Sequence, residues 1–234
     1  MTRPLLIVAH PGHELRLFAW MERERPLLCI LTDGSGSIAP ARTQYSAALA
    51  KGCGAAPGPV FGAMPDRAWY AAILHGDVAP FIAAADAIAA AATPGASVIA
   101  DPVEGYNPMH DLAAAVADAV AVRIGGARLT YPLMAPRRSG EVLRLDAGTL
   151  ARKRVAIAAY APLAEEAEAL LRADPAALAE EHILPARFAW PEVSVPEYER
   201  IGAERAARGV YGRTIRYAEH VRPLALALRE AVPA

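Results

Sequence analysis

Leu5-Leu6-Ile7-Val8-Ala9-His10-Pro11-Gly12-His13-Glu14 opens with a short, branched apolar run that stops at a histidine. The run reads as a buried strand, and the Pro-Gly pair beyond it as a turn before a helical pattern begins. In an α/β sheet, ligands bind at the carboxyl ends of the strands. Two imidazoles three positions apart at such an end can converge on one metal ion. The same punctuation recurs downstream. Residues 27–31 form a second apolar run ending in Thr32-Asp33-Gly34-Ser35-Gly36, and residues 97–100 form another ending in Asp101-Pro102-Val103-Glu104-Gly105-Tyr106-Asn107-Pro108-Met109-His110. Helical spacing fills the intervals: 13–25, 40–50 closed by Gly52 and Gly54, 69–92 with a break near Gly76 and Pro80, and 111–124. This alternation predicts an α/β fold, Rossmann-like, with a mostly parallel sheet flanked by helices.

The remaining elements are weaker in outline. Val60-Phe61 reads as a short third strand, and 128–133 and 141–145 as two more, separated by a turn at Pro136-Arg137-Arg138-Ser139-Gly140. Residues 148–172 are amphipathic and helical with a break at Pro162. Pro185, Pro191 and Pro196 then space out short segments before helices over 197–230, broken at Gly209 and Pro223. No repeat or linker divides the chain. It reads as one domain over 1–234, with a core over about 1–150 and a helical C-terminal extension over about 151–234 that packs back on the sheet or covers the pocket.

The balance of charge narrows the classes of partner. With 24 basic and 25 acidic residues the net charge is −1, which leaves no electrostatic footprint for nucleic acid or an anionic membrane. The partner expected is a small molecule. The longest apolar stretch, 78–93, is interrupted by Pro80 and Asp86 and reads as a buried helix rather than a membrane span. The amino terminus runs straight into a strand pattern without the marks of a signal peptide. Cys29 and Cys53 form neither a Cys-x-x-Cys pair nor a disulfide framework, so a reducing, cytoplasmic setting is expected.

Of six histidines, His10, His13 and His110 share one context, the carboxyl end of a predicted strand, whereas His75, His182 and His220 read as surface or core residues. Parallel strands place their ends side by side, and three neutral imidazoles plus water make an open zinc site. The three blocks that carry these residues, Ala9-His10-Pro11-Gly12-His13-Glu14, Leu31-Thr32-Asp33-Gly34 and Glu104 through His110, resemble those of the PIG-L/LmbE family. That family comprises zinc-dependent deacetylases of substrates containing N-acetylglucosamine. Its pattern is Ala-His-Pro-Asp-Asp-Glu, then Thr-Asp-Gly, then His-Pro-Asp-His. The resemblance covers roughly the first half of the chain. It implies a zinc-dependent hydrolase of carbon–nitrogen bonds, with an N-acylated sugar as substrate and zinc, or another divalent transition metal, as cofactor.

The departures from the family pattern redistribute the roles. Gly12 stands where the family has its general base, and His13 where it has a carboxylate ligand, so His10, His13 and His110 become the metal set. Asn107 replaces the histidine that stabilises or protonates the tetrahedral intermediate; it can donate an N–H to an oxyanion but cannot shuttle a proton. Exchanging an anionic ligand for an imidazole leaves the full charge on the metal and lowers the pKa of its water towards about 7, so that a separate base matters less. Candidates for that base are Glu104 (the first choice), Glu14, Asp33 and Asp101. Glu14 reads equally well as a cap on the following helix, Glu104 as a solvated loop carboxylate, and Asp33 as a group that orients a ligand histidine or fixes its loop. Arg42, Arg67 and Tyr106 are candidates for substrate contact. The alternative to a hydrolase is a non-catalytic metal- or sugar-binding relative that has lost the family's base.

Overall fold

Every side chain of Leu5–Val8 (β1) is buried in the computed structural model, which describes residues 2–36, 40–133, 140–173, 178–187, 189–190 and 195–231. A 3-10 turn over His13–Leu17 leads into α1 (Phe18–Glu24), followed by β2 (Leu27–Thr32), α2 (Thr43–Cys53), β3 (Ala56–Met64), α3 (Asp66–His75), α4 (Ala79–Ala91) and β4 (Val98–Ala100). Then come α5 (Pro108–Ile124), β5 (Arg128–Thr130), β6 (Glu141–Arg144), α6 (Ala147–Ala159), α7 (Ala164–Ala173), β7 (Glu180–Pro185), α8 (Glu197–Ala207) and α9 (Arg222–Glu230).

These strands form a single seven-stranded sheet in the order β3-β2-β1-β4-β5-β7-β6. The first five run parallel, and β7 pairs antiparallel with both β5 and β6. The fold is α/β and Rossmann-like, as the alternation of elements implies. β1, β2 and β4 read as unbroken apolar runs because both faces are covered. Leu5, Ile7 and Ala9 point into a layer with α3, α4, α5 and α9, while Leu6 and Val8 point into the opposite layer with α1, α2 and α6. From β1 the chain winds outward through β2 to β3, then returns to lay β4 and β5 on the other side. The carboxyl ends of β1 and β4 therefore flank the topological switch point, where an open sheet leaves a crevice for ligands.

Two elements differ from expectation. β3 is nine residues long rather than a Val60-Phe61 pair. Pro57 and Pro59 would disqualify a central strand, but β3 is an edge strand, and its pairing with β2 is irregular. The break expected near Gly76 and Pro80 within 69–92 is present: α3 ends at Gly76 (φ +65°), whose N–H caps the carbonyls of Ala72 and Ile73, and Pro80 lies in the first turn of α4. The larger difference is β7. Residues 180–185 complete the sheet between β5 and β6, so the part beyond residue 150 supplies a strand as well as helices. The expected turn at 136–139 and Pro191 lie outside the described residues.

Buried charge anchors β7. Glu181 Oε1 accepts from Ala19 N–H and Lys153 Nζ at 2.9 and 2.8 Å, and Oε2 accepts from Trp20 N–H at 2.9 Å. Both ionic side chains are about 1% exposed or less. One carboxylate thus ties β7 to α6 and satisfies two amides of the first turn of α1, which would otherwise lack partners. Among the described residues, no helix is long and apolar enough to cross a membrane.

Candidate metal centre

All five parallel strands deliver a polar residue to the same end of the sheet. His10 follows β1, Thr32 ends β2, Asp66 opens α3 after β3, Asp101 follows β4, and Tyr131 follows β5. His13 enters on the turn beyond β1, and His110 on the first turn of α5. The ring centres of His10, His13 and His110 stand 5.4, 5.2 and 4.5 Å apart, with interplanar angles of 68–89°. The three imidazoles expected from sequence to meet are thus in mutual contact.

Two of these rings are oriented by carboxylates. His13 Nδ1 lies 2.8 Å from Asp101 Oδ2, and His10 Nδ1 lies 3.1 Å from Asp66 Oδ1 and 2.9 Å from Thr32 Oγ1. Asp101 is fully buried, which works against its charge, but the neighbouring His13 holds its carboxyl at about 2. Its two oxygens also accept from Ala9 N–H and the Tyr131 hydroxyl. Burial likewise opposes the charge on Asp66, yet His10 and the Gly36 amide lower its pKa below the ordinary carboxylate value. Ionised carboxylates only accept, so the Nδ1 atoms of His10 and His13 carry protons, which in a neutral ring leaves Nε2 as the atom able to ligate. His10 Nε2 and His110 Nδ1 are buried and have no hydrogen-bond partner among the described residues. Burial, reinforced by the two neighbouring imidazoles, lowers the His110 pKa well below the usual value, so that ring is neutral.

These properties suit a metal. An imidazole at a Zn–N distance of about 2.0–2.1 Å has its ring centre about 3.2 Å from the ion, so two rings at a tetrahedral angle have centres about 5 Å apart. The observed separations bracket that value. Among the described residues, however, no three His, Cys, Asp or Glu side chains form a ready-made metal-holding group. Ring spacing fits the ion; present ring orientation does not gather the nitrogens on a point.

The other candidates fall into different roles. Glu14 is wholly buried and its Oε2 accepts from Gly12 N–H at 2.7 Å; burial raises its pKa. It fastens the turn of the motif and does not face solvent. Asp33 Oδ1 accepts from Ser35 N–H, Ser35 Oγ–H and Asp66 N–H, so it fixes its loop. Orienting the histidines falls instead to Asp66 and Asp101. Asn107 is the N-cap of α5: its Oδ1 accepts from Met109 N–H and the Tyr70 hydroxyl, at 2.8 and 3.1 Å. Glu104 is partly buried, with Oε1 at 3.3 Å from Leu133 N–H, a long bond compared with those at Asp101.

Among the substrate-contact candidates, the half-exposed Tyr106 ring lies 6.3 Å from that of His110. Arg67 is exposed, and Arg42 packs close to Gly34. Gly12 has φ +111°, and a Cβ there would lie 2.1 Å from Leu163 Cδ1. A carboxylate at this position would need both a strained backbone and a displaced leucine. Sequence reasoning overlooked Asp66, Tyr131 and Tyr70. Asp66 and Tyr131 stand within two residues of the carboxyl ends of β3 and β5, but the strands read from sequence, Val60-Phe61 and 128–133, do not end there.

Comparison with models of protein families, with curated proteins and with solved structures finds no match to this chain.

Proposed function

We propose that the protein is a metal-dependent hydrolase in which His10, His13 and His110 hold zinc or another divalent transition metal. Its substrate is a small N-acylated molecule, sugar-like by the motif resemblance, that loses its acyl group. The observation that carries this reading is the cluster of three imidazoles with centres 4.5–5.4 Å apart, two of them held by ionised carboxylates. When bound, the ion supplies Lewis-acid polarisation of a carbonyl and of an attacking water.

The chain's own residues do the rest. Asp66 and Asp101 hold two imidazoles in the tautomer that leaves Nε2 as donor, as outer carboxylates do for ligand histidines. The apolar surroundings of His110 keep it neutral and able to ligate. Asn107, with its oxygen already engaged, turns its NH2 to the substrate oxygen that gains charge. Glu104, the first choice among the carboxylates named from sequence, lies on the loop that leads to His110 and is the proton acceptor in this scheme.

The test is turnover of an N-acetylglucosaminide, a simple amide and an ester, each assayed untreated, with chelator, and after zinc is restored. Hydrolysis that chelation abolishes and zinc returns is expected. Turnover indifferent to chelation would overturn the assignment. A second reading, a non-catalytic metal- or sugar-binding protein, is favoured by Gly12: a carboxylate where the resembled family has its base would require a strained backbone and a displaced Leu163. Zinc binding without turnover of any of the three substrates would select it.

A further inference from the structure

Asn107 is held from two sides, and the direction of both bonds fixes what it can offer. Met109 N–H is a main-chain donor and can only donate, so the atom of Asn107 facing it at 2.8 Å is the amide oxygen. The Tyr70 hydroxyl reaches the same oxygen at 3.1 Å. An amide oxygen has two lone pairs, and both are then in use. Desolvation, first among its causes, raises the Tyr70 pKa, so the hydroxyl keeps its proton and remains a donor. Helix α3 places this hydroxyl: Asp66, which orients His10, and Tyr70 are four residues apart and share one helix face. On α5, Asn107 is the N-cap and His110 lies three residues on, again on one face. One helix therefore supports both a histidine of the cluster and the amide beside it.

We propose that Tyr70 is a positioning residue that locks Asn107 with only N–H donors turned towards the histidine cluster, making this a subsite for an acceptor-only oxygen such as a carbonyl or carboxylate. The inference rests on the proposed function for the identity of the neighbouring ion, but its own content is the polarity of the subsite. A substrate group that brings a proton of its own, such as an ammonium, finds no acceptor at Asn107. A carbonyl oxygen finds an N–H donor and strengthens its bond to it as it gains charge. Tyr70 touches no reacting atom. It acts by holding the amide in place.

Acetate is a suitable probe, because it has acceptor oxygens and no donor. In zinc-supplemented, 15N-labelled protein, the side-chain NH2 signal of Asn107, identified by its loss in Asn107→Asp, is followed as acetate is added. A saturable shift is expected for the native chain, with methylammonium leaving the signal unmoved. Tyr70→Phe keeps the ring and removes one neutral hydrogen bond, so acetate affinity read at this signal should fall by about threefold to tenfold. The starting position of the signal should also change, which a purely structural role for Tyr70 elsewhere would not produce. Asn107→Asp keeps the cap, since aspartate also serves as an N-cap, and should lose acetate binding at the subsite.

Zinc content, measured in the same samples, should be equal in all three proteins. No shift with acetate in the native chain, or a Tyr70→Phe protein with unchanged signal and affinity, would overturn the proposal. Failure of the metal reading is separate: zinc would then be absent from every sample, whatever the amide signal does.

Discussion

Replacing Gly12 by alanine forces two costs on a turn that holds two histidines of the cluster. Its backbone sits at φ +111° and ψ −20°, outside the regions open to residues with a Cβ, and such strain costs about 1–3 kcal/mol. The new Cβ would also meet Leu163 Cδ1 at 2.1 Å; because a leucine tip can swing aside, the overpacking falls at the low end of the usual range, about 1 kcal/mol. Gly12→Ala should therefore destabilise the fold by about 2–4 kcal/mol, read as a drop in the urea midpoint at unchanged slope.

A double-mutant cycle separates the two costs. Leu163→Ala alone loses apolar contact, but combined with Gly12→Ala it removes the clash. The pair should then be more stable than the sum of the single changes by about 1 kcal/mol, leaving the backbone strain behind. Simple additivity, or a Gly12→Ala protein as stable as the native one, would refute the reasoning. The same cost bears on chemistry: Gly12→Asp would not simply restore a general base, because the turn that brings His10 and His13 together depends on glycine.

Asp101→Asn removes the charge that fixes the His13 tautomer, and zinc affinity measured by competition with a chelator should fall about 10–100-fold. Asp111 accepts from the amides of Glu104 and Gly105 at 3.1 Å, and burial raises its pKa from 3.8 to about 7. The folded state therefore binds a proton that the unfolded state has lost, so this group's contribution to stability is full below about pH 4 and falls away as the pH rises towards 7. In Asp111→Asn, which keeps the acceptor oxygen, that slope should vanish from denaturation curves taken between pH 4 and 8 with chelator present. Glu181→Ala strands Lys153 and two amides in the core and should cost about 3–5 kcal/mol. Glu22→Ala, which breaks the solvent-screened pair with Arg152, should leave the denaturation midpoint nearly unchanged in the same assay.

The centre of the parallel sheet was legible because β1, β2 and β4 are continuous apolar runs and each ends at a polar, glycine-bearing loop. The meeting of His10, His13 and His110 followed from the same cue, since adjacent strand ends are adjacent in space. What stayed hidden depended on contacts between distant segments. Glu180-Glu181-His182 looks like solvent-facing sequence, and only the partner Lys153 and the open amides of α1 make it a strand with a buried carboxylate. Pro57 and Pro59 conceal β3 because nothing local marks it as an edge. Within the site, Glu14 and Asp33 lie beside the motif residues in sequence yet bond to their own turns. Asp66 does the orienting from a loop whose place is set by the position of β3 in the sheet. The glycine at position 12 is visible in the sequence; the leucine that fills the space above it is not.

The most direct test of the account is zinc content and coordination in the native chain and in His10→Ala, His13→Ala and His110→Ala, by elemental analysis and X-ray absorption. Native protein should hold a single zinc per chain with imidazole nitrogens at about 2.0–2.1 Å, and each variant should lose the ion or one imidazole from its shell. Native protein that takes up no zinc, or variants whose metal content and absorption spectra match the native chain, would contradict it.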